Sequence, residues 1–156
     1  MRTFRTGQDE HAVFDAVEEA FRDTWGRVPG EYDRWLDLTA SERRDPELWF
    51  LAEDEADGRI AGACLSRVTA NEGYIGTVGV RRPWRGRGLG LALLRYAFGE
   101  CYRRGSRKVQ LSVDAESATG APRLYFRAGM HVIRSYVMYR KLLRPGEGMS
   151  AHLDGE

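Results

Sequence analysis

The sequence is poor in cysteine and histidine, the residues that build disulfide frameworks and most transition-metal sites. Its two cysteines, Cys64 and Cys101, fall in separate predicted elements, and we expect free thiols in a reducing cytoplasm. The three histidines, at positions 11, 131 and 152, are scattered and have no spacing typical of metal ligands. The sequence therefore predicts no metal site.

Long apolar runs and a strong charge of either sign are also missing. The chain has no stretch of about 18 apolar residues, and its first six residues lack the apolar core of a signal peptide. The net charge is +1 although 30% of the residues are charged, which argues against nucleic acid or an anionic membrane as the main partner. We expect a cytoplasmic protein that binds neither.

The chain is long and apolar enough for one folded domain. Its 156 residues are 42% hydrophobic, which suits a single core. We expect this domain to cover residues 1–143. Residues 144–156 combine proline, glycine and charge, and we expect them to form a flexible tail.

The segment from Val78 to Ala92 is the most informative part of the sequence. An apolar strand pattern ends at Val80, an arginine- and glycine-rich loop follows, and a helix pattern begins at about Leu89. The first turn of a helix has backbone N–H groups without internal partners, and the helix dipole adds positive charge there. Glycine lets such amides approach a phosphate closely, so this order of elements predicts an anion site.

The spacing of the glycines separates three kinds of phosphate loop. A dinucleotide fingerprint, G-x-G-x-x-G or G-x-G-x-x-A, fails because its sixth position is Leu91 when counted from Gly86 and Leu93 when counted from Gly88. A P-loop fails because this loop has no lysine. The pattern that fits is R-x-x-G-x-G, which begins at Arg85.

This loop and a second block of sequence resemble the GNAT family of N-acetyltransferases. The R-x-x-G-x-G pattern is similar to the family's acetyl-CoA pyrophosphate loop, and Leu124-Tyr125 followed by Ala128-Gly129-Met130 is similar to its L-Y-x-x-x-G-F segment. The resemblance covers about half of the chain. Within the family, the two blocks look most like the mycothiol-synthase-like acetyltransferases of actinobacteria, which carry two such domains in tandem. This chain would hold one complete copy.

The resemblance and the order of the predicted elements imply one fold class. That class is α/β, an α+β-type mixed β-sheet flanked by helices, as in the GNAT acyl-CoA N-acyltransferase fold, whose middle strands separate at the cofactor. We expect Asp9 to supply either a cap or a first-turn charge at the start of the first helix. The predicted helices cover residues 10–21, 32–38, 88–104 and 119–128. The predicted strands cover residues 2–6, 48–52, 59–68, 74–80, 109–113 and one or two segments of 132–143.

The resemblance implies that acetyl-CoA is a co-substrate, and it assigns the contacts. The strand before the loop would pair through its backbone with the pantetheine arm, the loop amides would bind the pyrophosphate, and Ser117 would stand where the family usually has asparagine. Arginine side chains of the loop, Arg81 and Arg82 among them, would either meet the phosphates or stay solvated. The implied acetyl-CoA residues are Val78, Gly79, Val80, Arg85, Gly86, Arg87, Gly88, Leu89, Gly90, Leu91 and Ser117.

Tyr125 matches the family tyrosine that protonates the coenzyme A thiolate, which makes it the candidate catalytic residue. A phenol with a pKa of about 10 can give its proton to a thiolate as the thiolate forms. The alternative is that Tyr125 only packs in the core or orients the sulfur. No general base is assigned, because Glu72, Asp114, Glu116 and direct proton loss to water are all open.

The expected activity is transfer of an acetyl group from acetyl-CoA to a primary amine by direct attack in a ternary complex. The acceptor is a small-molecule or peptide amine, and Trp25, Tyr32 and Trp35 either line its pocket or belong to the core. A catalytically silent acyl-CoA-binding or partner-docking module is the alternative. Nucleic-acid binding through residues 81–87 fits the near-neutral charge poorly. A homodimer through the C-terminal strands is compatible with the pattern.

Overall fold

The computed structural model describes residues 1–24, 28–39, 45–113, 120–137, 139 and 141, with the backbone only at Leu38 and Thr39. Its helices are α1 (Glu10–Phe21), α2 (Tyr32–Thr39), α3 (Leu89–Arg103) and α4 (Ala121–Arg127). Its strands are β1 (Arg2–Thr3), β2 (Trp49–Glu53), β3 (Ile60–Thr69), β4 (Glu72–Val80) and β5 (Lys108–Leu111). Short 3-10 turns at Pro46–Leu48 and Arg82–Trp84 precede β2 and the arginine- and glycine-rich loop.

The five strands form one sheet in the order β1-β2-β3-β4-β5. The first four strands are antiparallel to their neighbours, whereas β5 runs parallel to β4. The predicted fold class, a mixed sheet flanked by helices, is confirmed.

The helices α1 and α3 cover opposite faces of the sheet because each has one apolar side. The α1 face buries a cluster that includes Val13, Trp49 and Leu65. The α3 face buries a second cluster that includes Cys64 and Leu93, and residues of α4 pack against it. Both cysteines are buried free thiols, as predicted.

Asp9 stands at the N-cap position of α1, but its carboxylate makes no cap hydrogen bond, so of the two predicted roles only the charge at the helix start is found. The carboxylate accepts hydrogen bonds from Nη1 and Nη2 of Arg2, at 2.6 and 2.9 Å, and from the backbone N–H of Arg5 at 2.7 Å, and no side-chain bond caps the helix. The Arg2 guanidinium is the main cause of the lowered pKa of Asp9. Because the bidentate contact with Arg2 and the bond from Arg5 use the carboxylate oxygens, Asp9 joins β1 to the start of α1 instead.

The strands predicted within residues 132–143 are not found where the structure describes this range. Residues 132–137 carry no strand, nor do the single described positions beyond them. Ile133 and Tyr136 are 72% and 79% exposed, so the apolar side chains that suggested a strand are not packed on the sheet. An apolar pattern makes a strand only where a neighbouring strand and a packed face support it, and the prediction is wrong for these residues.

The strand β4 pairs with β3 along its length, but it pairs with β5 only over its first residues. Glu72–Ile75 pair with β5, which ends there. On the other side, the register between β3 and β4 shifts at Gly76, which is the extra residue of a β-bulge. The rest of β4, Gly76–Val80, has no described strand beside it on the β5 side, and we call this stretch the free edge of β4. It provides the strand separation that the family resemblance implies.

Candidate active site

The free edge of β4 presents main-chain groups of Val78 and Val80. The N–H of Arg81 donates to the carbonyl of Ala61 at 2.9 Å, and residues along an antiparallel ladder alternate in the direction of their polar groups. The N–H and C=O of Gly79 therefore face β3, and those of Val78 and Val80 face the opening, where the carbonyl of Val80 already accepts a hydrogen bond from Nε of Arg85. An extended ligand that carries amides can pair with this edge as another strand would.

The loop after β4 requires glycine at Gly86 and Gly88, because both residues have a positive φ, +76° and +80°. A Cβ at either position would meet nothing within 4 Å, so the space beside the loop is open. The following helix, α3, has no side-chain cap. The N–H groups of Leu89, Gly90 and Leu91 therefore lack internal partners at the positive end of the helix dipole. Such an arrangement is suited to bind a phosphate.

Arg85, the first residue of the R-x-x-G-x-G pattern, holds the loop in place. Its Nε donates to the carbonyl of Val80 at 2.9 Å, and its Nη2 donates to the carbonyl of Ala20 at 2.8 Å. The Ala20 carbonyl belongs to the last turn of α1, where carbonyls lack helical partners and a cation is favourable. The guanidinium of Arg85 thus joins β4 to α1 and is not free for a phosphate.

Arg81 and Arg82 are also held by α1 and by the residues that follow it. The Nε of Arg81 donates to Oε2 of Glu19 at 2.7 Å, and the Nε of Arg82 donates to Oδ2 of Asp23 at 2.8 Å. In each pair, the arginine is the main cause of the lowered pKa of the carboxyl group. Among the loop arginines, only Arg87 has no ion pair with another described residue, so its side chain is available to an anion.

Trp84 fixes the loop from the opposite side, a role that sequence reasoning missed. Its ring is buried, and its Nε1 donates to Oδ2 of Asp54 at 2.6 Å in the turn between β2 and β3. The pKa of Asp54 is lowered by the backbone N–H of Ala56 and then by this indole bond. The tryptophan is visible in the sequence as part of the entry to the loop, but its partner in a distant turn is not.

Gly79 and Gly90 contribute to the site by allowing close packing. A Cβ at Gly79 would lie 3.0 Å from the Cβ of Ala20, and a Cβ at Gly90 would lie 3.2 Å from Cδ2 of Leu124. The missing side chains therefore let α1 close onto β4 and let α4 close onto the start of α3. The second contact places Tyr125, the neighbour of Leu124, near the loop.

Tyr125 lies half-buried on α4 against the α3-face cluster, which contains Cys64. Burial is the main cause that raises the pKa of Tyr125 above its ordinary value, and Cys64 adds to the effect. The carbonyl of Tyr125 accepts the N–H of Met130 at 3.0 Å where α4 ends, which fixes this turn of the helix. Its hydroxyl has no hydrogen-bond partner within the described ranges. It is therefore a protonated donor at neutral pH.

The aromatic candidates of α2 pack against α1 and its core. Trp35 lies against the α1-face cluster, and the ring of Tyr32 stacks on His11 with centroids 3.7 Å apart. Glu72, a candidate base, is exposed at the first residue of β4, where β4 and β5 are still paired. The remaining candidates lie outside the described residues; they are Trp25, Asp114, Glu116 and Ser117.

A further pair of side chains, which the sequence did not predict, lies beside the start of the free edge. The Cζ atom of Arg67, on β3, is 4.3 Å from the centroid of the Tyr74 ring on β4. Its Nη1 would lie 4.0 Å from a Cβ at Gly76, the bulge residue. Leu65 belongs to the α1-face cluster, so the alternation along β3 puts Arg67 on that face as well. Pairing between strands creates this contact, and spacing along one strand does not reveal it.

Neither a metal cluster nor a membrane-spanning helix occurs in the described part of the chain. Over those residues, no three His, Cys, Asp or Glu side chains come together as a group that could hold a metal ion. None of the helices described there combines the length and the apolar content needed to cross a bilayer.

The fold and the site define an α/β protein in which an uncapped helix start and a glycine loop lie beside an open strand edge. The sequence matches the acetyltransferase (GNAT) family over residues 11–130, a range that contains the free edge, the loop and Tyr125. The chain belongs to the GNAT family of acetyltransferases, and the resemblance predicted from the two sequence blocks is confirmed.

Several relatives carry the name mycothiol acetyltransferase. The protein from Thermobifida fusca is 35% identical over 91% of this chain, and the one from Mycolicibacterium vanbaalenii is 33% identical over 88%. The aligned parts are 46% and 47% of those two proteins. The chain thus spans about half the length of the curated relatives it matches.

Solved structures share the fold. A GCN5-related N-acetyltransferase from Sphaerobacter thermophilus is 62% identical with a TM-score of 0.73, over 83% of this chain and 40% of that chain. A GNAT acetyltransferase from Brucella melitensis in complex with acetyl-CoA is 22% identical with a TM-score of 0.66, over 84% of this chain and 81% of that one. The Escherichia coli ribosomal-protein-S18-alanine N-acetyltransferase is 23% identical with a TM-score of 0.65, over 82% and 74%. The last two similarities concern the fold alone.

Proposed function

We propose that this chain transfers an acetyl group from acetyl-CoA to a primary amine by direct attack in a ternary complex. One observation carries the proposal: the free edge of β4 leads directly into a loop with unpartnered amides at the uncapped start of α3. An extended molecule with amides in its arm and a pyrophosphate at its end fits these two parts in series. Coenzyme A has this chemistry, and the Brucella relative in complex with acetyl-CoA supports the choice.

The residues of the site divide into those that bind the donor and one that moves a proton. The N–H and C=O of Val78 and the N–H of Val80 would pair with the amide arm, and the amides at the start of α3 would bind the phosphates with Arg87 nearby. Tyr125 donates a hydrogen bond, and then its proton, to the sulfur as negative charge develops there. Burial raises the pKa of Tyr125, so the phenol stays protonated until that moment.

The acceptor amine would approach from the α1 face of the sheet. The helices α3 and α4 pack on the other face, where Tyr125 also lies. The two reactants would therefore meet at the free edge with the proton donor and the nucleophile on opposite sides. The name of the curated relatives supports a small-molecule acceptor.

Calorimetric titration with acetyl-CoA tests the donor site. We expect a micromolar Kd for the unaltered chain and at least a tenfold weaker one for Gly88→Glu, because a carboxylate would repel the pyrophosphate. Gly7→Glu is the matched control: Gly7 has a φ of +81° and open space around it, yet it lies before α1, outside the loop. It should bind as the unaltered chain does. Absence of binding by the unaltered chain would contradict the proposal.

Turnover separates the transferase from a silent acyl-CoA-binding module. Release of the free thiol of coenzyme A is followed with acetyl-CoA and a panel of primary amines. Amine-dependent release supports the transferase. Tight acetyl-CoA binding with no release for any amine would instead assign the chain to the silent module.

A further inference from the structure

Arg67 differs from the other arginines in the environment of its charge. Of the arginines that the structure describes, three are half-buried: Arg2, Arg67 and Arg81. Arg2 pairs with Asp9 and with a second carboxylate, and Arg81 pairs with Glu19. Arg67 has no carboxylate partner in the described part of the chain. Its charge instead lies over the ring of Tyr74 in a cation–π contact.

A half-buried cation without a counter-ion costs free energy, because it loses hydration without gaining an ion pair. The ring of Tyr74 compensates in part through a cation–π contact, with the Cζ atom of Arg67 4.3 Å from the ring centroid. The guanidinium has no hydrogen bond to another described residue, so its N–H groups stay available. A planar guanidinium fixed on a ring is suited to bind a carboxylate through two parallel hydrogen bonds.

The position of Arg67 places such a carboxylate in the path of the acceptor. Its Nη1 lies near Gly76, the residue at which the free edge of β4 begins. Arg67 is on the α1 face, whereas Tyr125 packs on the α3 face. Under the proposed function, on which this step rests, the acceptor arrives from the α1 face and passes Arg67 before it reaches the free edge.

We propose that Arg67, held on Tyr74, is a specificity residue that binds a carboxylate of the acceptor. The acceptor is then an amine with a carboxylate in the same molecule, such as an amino acid or a short peptide. The carboxylate supplies the counter-charge that Arg67 lacks, and its binding positions the amine toward the free edge. Arg67 takes no part in the chemistry and acts on the KM of the acceptor.

Matched acceptors test this inference. L-Amino acids are compared with their amides, and dipeptides with dipeptide amides, at saturating acetyl-CoA. We expect kcat/KM to be about tenfold or more higher for the acids in one of the two series, which also identifies the source of the carboxylate. Arg67→Gln should bring this ratio close to one through the acceptor KM, and Arg67→Lys should restore part of it, because lysine keeps the charge but not the fork.

Two controls distinguish this role from a structural one. Arg95→Gln removes an exposed charge from α3 and should leave the ratio unchanged. The KM for acetyl-CoA and turnover of the amides should be the same in Arg67→Gln and the unaltered chain. Equal kcat/KM for acids and amides in the unaltered chain would overturn the inference and leave the transferase function intact.

If no amine is acetylated, the proposed function is contradicted, but the carboxylate subsite can still be tested by the binding of product analogues. With coenzyme A present, N-acetyl-L-amino acids and their amides are titrated by calorimetry. Preference for the acids that disappears in Arg67→Gln supports a carboxylate subsite. The same affinity for both, with or without Arg67, contradicts it.

Discussion

The sheet presents two different surfaces where β4 separates from β5. On the α3 side, the anion site is built from main-chain N–H groups at the start of the helix. On the α1 side, Arg67 lies on Tyr74 with no carboxylate beside it in the described residues. One surface therefore presents backbone N–H groups to the proposed anion, and the other presents a side-chain cation.

The arginines of the loop show why this difference matters. The guanidinium groups of Arg81, Arg82 and Arg85 contact α1 or the residues after it, and they hold the loop in shape. These arginines thus support the loop whose amides we propose as the phosphate ligands, and Arg87 is the loop arginine without an ion pair to a described residue. A second cation without a carboxylate partner in the described residues, Arg67, lies outside the motif, on β3.

Replacing Tyr125 with Phe should have the largest effect, and it tests whether the two surfaces act independently. Loss of the proton donor should lower kcat by about 100-fold, with no change in acetyl-CoA affinity or in acceptor preference. Because the pKa of Tyr125 is raised, the protonated donor is present below that pKa, and the unaltered chain should keep this step up to a pH above about 10. Steady-state kinetics against pH measure both effects.

The control is Tyr102→Phe, since Tyr102 is exposed on α3 and should keep full activity. A kcat for Tyr125→Phe within twofold of the unaltered chain would remove the proton-donor role. A change in acceptor preference would show that the two surfaces are not independent.

Arg85→Gln and Arg87→Gln should have different effects, because Arg85 holds the loop in shape whereas Arg87 is available to the phosphates of acetyl-CoA. Arg85→Gln loses the bonds to the carbonyls of Ala20 and Val80, so we expect about a tenfold higher acetyl-CoA KM together with a lower Tm. Arg87→Gln should raise this KM only about threefold, most visibly at low salt, without a change in Tm. Kinetics at two ionic strengths and thermal unfolding provide the comparison. A lower Tm for Arg87→Gln would assign it to the support as well.

Glu19→Gln is the smallest expected effect and tests the contact of α1 with the loop. Arg81 lowers the pKa of Glu19, so the ionised carboxylate stabilises the fold above its ordinary pKa, about 4.5, and this contribution is lost as the pH falls through the lowered value. We expect Glu19→Gln to reduce the free energy of unfolding by at most about 1 kcal/mol at pH 7 and to differ less from the unaltered chain at pH 3. Urea unfolding at both pH values measures this. Glu55→Gln, on the exposed β2–β3 turn, should show no such dependence.

Local signals in the sequence were sufficient for much of the fold. The positive φ at Gly86 and Gly88 and the helix that starts at Leu89 were predictable, because glycine freedom and helix starts depend on neighbouring residues. The amphipathic pattern of α1 likewise predicted its buried side. The predicted bounds of most elements agree with the structure to within a few residues.

The partners of the charged residues were not predictable. The contacts of Asp9, Arg81 and Trp84 join segments that are distant in sequence or compete with a simpler local bond. The pair of Arg67 and Tyr74 depends on the strand register, which the bulge at Gly76 shifts by one residue. The roles of Tyr125 and Ser117 came from the family resemblance, and they remain predictions.

The absence of a side chain at Gly90 has a consequence for how the protein can change. A single added methyl group would lie 3.2 Å from Cδ2 of Leu124, so this side chain of α4 would have to give by a few tenths of an ångström. Tyr125, the proposed proton donor, is the next residue of the same helix. A substitution at Gly90 would therefore act on both the start of α3 and the environment of Tyr125, so the two parts of the proposed site are coupled through one missing side chain.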